Sequence, residues 1–76
     1  MPEPAPQPPA DLGGRIRFYR NRLALSQRAL GSLMGRGDFR SQIGEYEANT
    51  TDPSLPTLLA LCKVLRVSPN QLIGWK

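Results

Sequence analysis

Apolar residues recur along this chain in short helical rhythms, each preceded by a side chain able to cap a helix. Leu12, Ile16, Tyr19 and Leu23 follow Asp11 at spacings of 4, 3 and 4, which traces one stripe of an α-helix with Arg15, Arg17, Arg20 and Arg22 around its other faces. Gly13 and Gly14 weaken its first turn by up to about 1 kcal/mol each relative to alanine, so that end is expected to fray. Ser26 opens a second helix with Leu30, Leu33 and Met34 inward and Gly35 as its stop. Gly31, in mid-helix, implies close approach of another helix backbone. After a polar turn at Arg36, Gly37 and Asp38, a third helix runs from Phe39 or Arg40 to Ala48, with Ile43 and Tyr46 inward and Asn49 suited to a left-handed C-cap.

Ser54 starts a fourth helix that accepts Pro56 in its first turn, where the missing N–H has no helical partner. Leu55, Leu58, Leu61, Cys62 and Leu65 follow at helical spacing, so this is expected to be the most buried helix of the set. Ser68 and Pro69 open a short fifth helix with Leu72 and Ile73, ended by Gly74. Five helices without a strand signal predict an all-α orthogonal bundle. No internal repeat is visible.

Composition refines that picture at the N-terminus. Residues 1–10 hold five of the eight prolines and predict a disordered, Pro-rich arm, because proline removes a backbone donor and fixes φ. The expected domain is residues 11–76, near the lower size limit for a chain stabilised by its own core. A single cysteine and no histidine allow neither an internal disulfide nor a Cys/His metal cluster, and no cofactor is expected. No apolar run reaches the roughly 18 residues of a membrane span, and the start has no signal-peptide pattern, so a cytoplasmic protein is expected.

Charge points toward an anionic partner. The net charge is +4, and from Leu12 onward ten basic residues face only Asp38, Glu45, Glu47 and Asp52, a net of +6. All the basic residues but Lys63 and Lys76 are arginines, whose planar fork bonds phosphates and base edges bidentately. A solvated basic surface explains the charge alone equally well.

The order of elements is more specific. Two helices joined by a short turn, the second carrying polar side chains in its first turn, present a helix N-terminus to base edges in the major groove. Here that turn holds Arg40, Ser41 and Gln42. Arginine can bridge O6 and N7 of guanine, serine can reach a base edge or phosphate, and Glu45, one turn on from Ser41, can accept from the cytosine amino group.

With these residues in place, the chain resembles the phage-repressor and Cro-type helix-turn-helix family, also called the XRE family, over residues 12–73. The matching features are Ile16 and Arg20, the Leu25-Ser26-Gln27 entry to the second helix, Leu30 with Gly31, and Gly35. Ile43, Tyr46 and Glu47 continue the match, followed by Asp52-Pro53-Ser54, Leu58, Leu65 and Val67-Ser68-Pro69. The resemblance implies a lambda-repressor-like five-helix bundle that binds double-stranded DNA at a palindromic operator as a homodimer. It implies base reading by Arg40, Ser41 and Glu45, and phosphate contacts from Gln27, Gln42, Asn49 and Thr50, with Gln27 also bracing the first residue of the third helix. Arg20 and Glu47 match an interhelical ion pair of structural purpose. The chain departs from the family in one place: between Gly35 and Ile43 it has seven residues where the family usually has five. Arg36 in that longer turn is expected to add a phosphate contact. If Asp38 caps the third helix, Phe39 rather than Arg40 is its first residue, packing on the core or reaching a thymine methyl.

Other readings stand beside this one. Trp75 either covers the first and fifth helices or joins Leu72 and Ile73 in a dimer contact. Cys62 reads as a packed thiol, and Glu45 and Glu47 diverge on their helix too far to work as a paired acid and base, so no enzyme is expected. A transcriptional regulator, read as a repressor without a small-molecule ligand, is the leading expectation. The alternative is an antitoxin-like or phage accessory module that binds a protein partner through the Pro-rich arm and Trp75.

Overall fold

Helices in this protein begin where a short polar side chain takes up amide protons that a helix leaves unpaired. The computed structural model describes residues 8–35 and 39–74, the side chains at 39–41 excepted. Asp11 caps α1 (Leu12–Arg22), accepting from the Gly14 N–H at 2.7 Å. Ser26 does the same for α2 (Gln27–Leu33) through the Ala29 N–H at 2.9 Å. The next helix, α3, spans Phe39–Glu47, so the longer turn ends with Phe39 as the first helical residue and Arg40 as the second. Ser54 precedes α4 (Leu55–Leu65) but donates its hydroxyl to Thr57 and caps nothing. A reciprocal pair opens α5 (Pro69–Ile73): Ser68 Oγ accepts from the Gln71 N–H, and the Gln71 side chain accepts from the Ser68 N–H at 2.8 Å.

Three helices end in left-handed residues that carry a side chain. Ala24 (φ 55°), Asn49 (φ 60°) and Arg66 (φ 60°) each follow a helix whose last carbonyls are closed by a paired set of bonds. After α3, Thr50 N–H reaches the Glu45 carbonyl at 3.0 Å and Asn49 N–H the Tyr46 carbonyl at 3.1 Å. The same double closure joins Leu25 and Ala24 to Arg20 and Asn21, and Val67 and Arg66 to Cys62 and Lys63. Asparagine tolerates this conformation; alanine and arginine adopt it against a steric penalty from Cβ. Gly35 and Gly74, also at positive φ, close α2 and α5 as their positions predict.

Every helix sends one fully buried side chain to the centre: Ile16, Leu30, Ile43, Leu61 and Leu72 are all 0% exposed. Tyr19, Tyr46, Cys62 and Leu65 complete the core, and α1 packs on α3 and α5, α2 on α3, and α4 on α5. Four residues expected inward are on the surface: Leu33 (59% exposed), Leu55 (66%), Ile73 (45%) and Leu23 (36%). In α2 the buried pair is Leu30 and Gly31, while Leu33 faces outward. Among the described residues the architecture is all-helical, with five helices and no strand.

The first turn of α1 does not behave as a frayed end. Gly13 is buried where α1 runs into the C-terminal end of α3: a Cβ there would collide with the Tyr46 carbonyl oxygen and lie 2.6 Å from that of Glu47. Glycine permits that approach, and the Gly13 N–H donates to Asn49 Oδ1 at 3.0 Å. At the other side of α1, Arg15 Nη1 donates to the Gln71 carbonyl at 2.9 Å and ties α1 to α5.

Candidate nucleic-acid interface

The surface offered by α3 follows from which of its residues face inward. Ile43, Tyr46 and Glu47 are buried, so Gln42 and Glu45 stand on the opposite, exposed face. Gln42 and Glu45 are therefore both open to solvent on one face of α3. Arg40 and Ser41 occupy the first turn of α3, their side chains lying outside the described residues. Arg36 and Trp75, and with them the expected Asp38 cap and residues 1–7 of the arm, also lie outside the described residues.

Glu47 fixes the helix in place. Its carboxylate is 1% exposed and receives Arg20 Nε at 2.7 Å and Arg20 Nη2 at 3.0 Å, a bidentate pair from α1. Arg20 Nη1 also donates to the Leu25 carbonyl at 2.8 Å, so one guanidinium joins α1, the α1–α2 turn and α3. Arg17 Nε adds a bond at 3.2 Å and Gln27 Nε2 one at 3.3 Å. Burial pushes the Glu47 carboxyl up, but the hydrogen bonds from Arg20, Arg17 and Gln27 outweigh it, and its pKa falls below the usual glutamate range. The expected Arg20–Glu47 pair is present; Arg17 joins it, which helical spacing within α1 does not reveal.

Two residues expected to meet phosphate are engaged within the protein. Among the described residues Gln27 braces α3 at Gly44 and Glu47; the first helical side chain lies outside them. Its amide donates to Glu47, and its Oε1 lies 3.7 Å from where a Gly44 Cβ would stand. Asn49 spends both ends of its amide on α1, accepting from Gly13 and donating to Asp11 Oδ2 at 2.8 Å. The Asn49 bond, with that from the Gly14 N–H, lowers the Asp11 pKa. Thr50 remains exposed, its hydroxyl donating to the Glu45 carbonyl at 3.0 Å with lone pairs left to accept. The clamp of Asp11, Gly13 and Asn49 escapes sequence reasoning because its members are up to 38 residues apart.

Of the candidate dimer contacts, Leu72 is a correction: it is 0% exposed in the core and has no surface to give, whereas Ile73 beside it is open. Cys62 is buried, and desolvation pushes its thiol pKa up, which suits packing rather than reactivity. No group of metal-binding side chains and no helix long and apolar enough to cross a membrane occurs among the described residues.

A short α2 laid across the base of an α3 that shows a polar face, with α1 bolted to the end of α3, is a helix-turn-helix domain. The helix-turn-helix family matches residues 16–72, and the chain belongs to it, in its phage-repressor and Cro-type branch. Among particular proteins it is similar to repressor protein C2 of Salmonella phage P22, with 39% identity over 62 residues, or 82% of this chain. The chain spans 28% of that relative's length. It also superposes on the crystal structure of the P22 c2 repressor in complex with synthetic operator 9T in the presence of Tl⁺. The TM-score is 0.77 at 36% identity, covering 87% of this chain and 97% of that one.

Proposed function

We propose that this chain is a sequence-specific double-stranded DNA-binding transcriptional regulator, a repressor, that inserts α3 in the major groove as a homodimer on a palindromic operator. The observation that carries the reading is the superposition on a repressor that is itself bound to operator DNA. The exposed polar face of α3, held from behind by the buried Glu47 network, supports it. Arg40 reads guanine, Ser41 and Glu45 read neighbouring base edges, and Gln27, Arg36, Gln42, Asn49 and Thr50 meet phosphate. Gln27 and Asn49 also position α3 and its following loop through their bonds to Glu47, Gly13 and Asp11. Residues 11–76 form the binding domain behind a Pro-rich arm at 1–10. The protein works in the cytoplasm and carries no catalytic site.

In vitro selection from a randomised duplex pool, read for motif and half-site spacing, tests this. An inverted repeat with half-sites about one helical turn apart is expected. Affinity should fall steeply with salt, the logarithmic slope being about −0.9 per phosphate neutralised. Arg40→Ala is expected to relax preference at one operator position and weaken binding by about 1–3 kcal/mol. A loss spread evenly over all sequences would make Arg40 a phosphate contact instead, and absence of any enriched motif would overturn sequence-specific binding.

A further inference from the structure

Arg17 meets the Glu47 network without being consumed by it. Arg20 gives Nε and Nη2 to Glu47 and Nη1 to the Leu25 carbonyl, and its side chain is only 12% exposed. Arg17 gives Nε alone, at 3.2 Å, and its side chain is 61% exposed. A guanidinium donates from all three of its nitrogens, so Nη1 and Nη2 of Arg17 are left without a partner among the described residues.

Charge points the same way. The bidentate Arg20 already balances the Glu47 carboxylate, so the charge of Arg17 is left over and stands at the surface. An exposed pair of this kind stabilises a fold only slightly, and holding Glu47 does not account for a second arginine there. The bond at Nε does restrict the side chain, which leaves its solvent-exposed fork better ordered for a ligand than that of an unattached arginine. Gln27 sets the place of that fork. Arg17 Nε and Gln27 Nε2 donate to the same oxygen of Glu47, Oε1, at 3.2 Å and 3.3 Å, so the two side chains meet on one carboxylate. Gln27 opens α2 and is among the side chains assigned to phosphate.

We propose that Arg17 is a phosphate-binding residue of the duplex interface: Nη1 and Nη2 donate to oxygens of one backbone phosphate beside Gln27 while Nε keeps its bond to Glu47. One guanidinium then ties the nucleic-acid backbone to the buried anchor of α3, placing that helix without reading a base. The inference rests on the reading of this chain as a duplex-binding protein.

Fluorescence anisotropy over a series of salt concentrations tests it, with the full chain, a duplex recovered by selection and a random-sequence duplex. Arg17→Gln removes the charge but keeps a donor for Glu47, so its urea midpoint should stay close to that of wild type. It should weaken both duplexes alike, by about tenfold, as loss of a charge-assisted bond requires, and should reduce the logarithmic salt slope by about 0.9, the share of one phosphate. Arg17→Lys keeps the charge and should restore the slope, with part of the affinity lost with the fork. Arg22→Gln is the control: that arginine is exposed on the same helix, its guanidinium 5.9 Å from the centroid of the Tyr19 ring, and its loss should leave the slope as in wild type. A collapsed urea midpoint or an unchanged slope in Arg17→Gln, an equal fall in Arg22→Gln, or a loss confined to one sequence would each overturn the assignment while wild-type binding stands. If wild type binds neither duplex, the duplex-binding reading falls and takes this inference with it.

Discussion

Removing the Glu47 carboxylate should bring the domain close to its unfolding threshold. Glu47 accepts four N–H bonds, two of them from Arg20, whose side chain is only 12% exposed. In Glu47→Ala the Arg20 guanidinium keeps the Leu25 carbonyl but loses its counter-ion in a dry setting, at a cost of about 3–5 kcal/mol for a broken buried pair. A domain of this size has about 3–10 kcal/mol in total, so the variant should be partly unfolded at 25 °C. Arg17→Ala is the internal control: that side chain is 61% exposed, and its loss should cost no more than about 1 kcal/mol. Urea unfolding with linear extrapolation measures both, provided the slope is unchanged between variants. The acid limb gives an independent reading. Because the folded-state pKa of Glu47 is depressed, its contribution is complete above the unfolded-state value of about 4.3 and is lost as pH falls through the lower folded value. Wild type and Glu47→Gln should therefore differ at neutral pH and converge in acid. A Glu47→Ala loss under about 1 kcal/mol, or equal losses for Arg17→Ala and Glu47→Ala, would refute a buried network and describe a solvent-screened one.

Three further substitutions probe the backbone. Gly13→Ala drives a methyl into the Tyr46 and Glu47 carbonyls and should lower stability by about 1–3 kcal/mol, seen as a reduced denaturation midpoint; unchanged stability would mean that α1 and α3 separate freely. Gly44→Ala has the opposite sign, because its methyl would meet only Gln27 at 3.7 Å and a helix gains up to about 1 kcal/mol on losing a glycine. Its thermal midpoint should rise by about 4–8 °C per kcal/mol gained, and a fall would show that the Gln27 brace is displaced. Ala24→Gly should stabilise by about 1 kcal/mol by relieving the left-handed closure of α1, measured by the same thermal scan; a loss would show that chain entropy outweighs the strain.

Elements were legible from sequence where local chemistry decides them. Asp11, Ser26 and Ser68 cap through their own side chains, and Gly35, Gly74 and Asn49 take the left-handed turns their types favour. Faces were less legible. Periodicity in a helix of only seven residues does not say which arc turns inward, and in α2 Leu30 and Gly31 are buried while Leu33 is exposed. Long-range bonds were legible only where a resemblance supplied them, as for Arg20 and Glu47. Arg15 with Gln71, and Asp11 with Asn49, join residues 56 and 38 apart, and nothing local to either partner announces the other. The same limit applies to Gln27 and Asn49: the resemblance placed both beside phosphate, and only the tertiary structure adds their bonds to Glu47, Gly13 and Asp11.

The anchoring of α3 from Ile43 onward bears on how the proposed reading helix is aimed. Nine residues with a central glycine are too few to hold a helix by propensity, so its position must be imposed by neighbours. The described restraints all act from Ile43 onward: Ile43 and Tyr46 in the core, Gln27 against Gly44, Arg17 and Arg20 on Glu47, and Asn49 locked to the start of α1. Substitutions at Ile43, Tyr46, Glu47 or Asn49 change the aim of the whole helix. Loss of Gln27 or Asn49 should accordingly weaken binding to every sequence alike, through misplacement of α3, whereas changes at Arg40, Ser41 or Glu45 should alter which sequence is preferred.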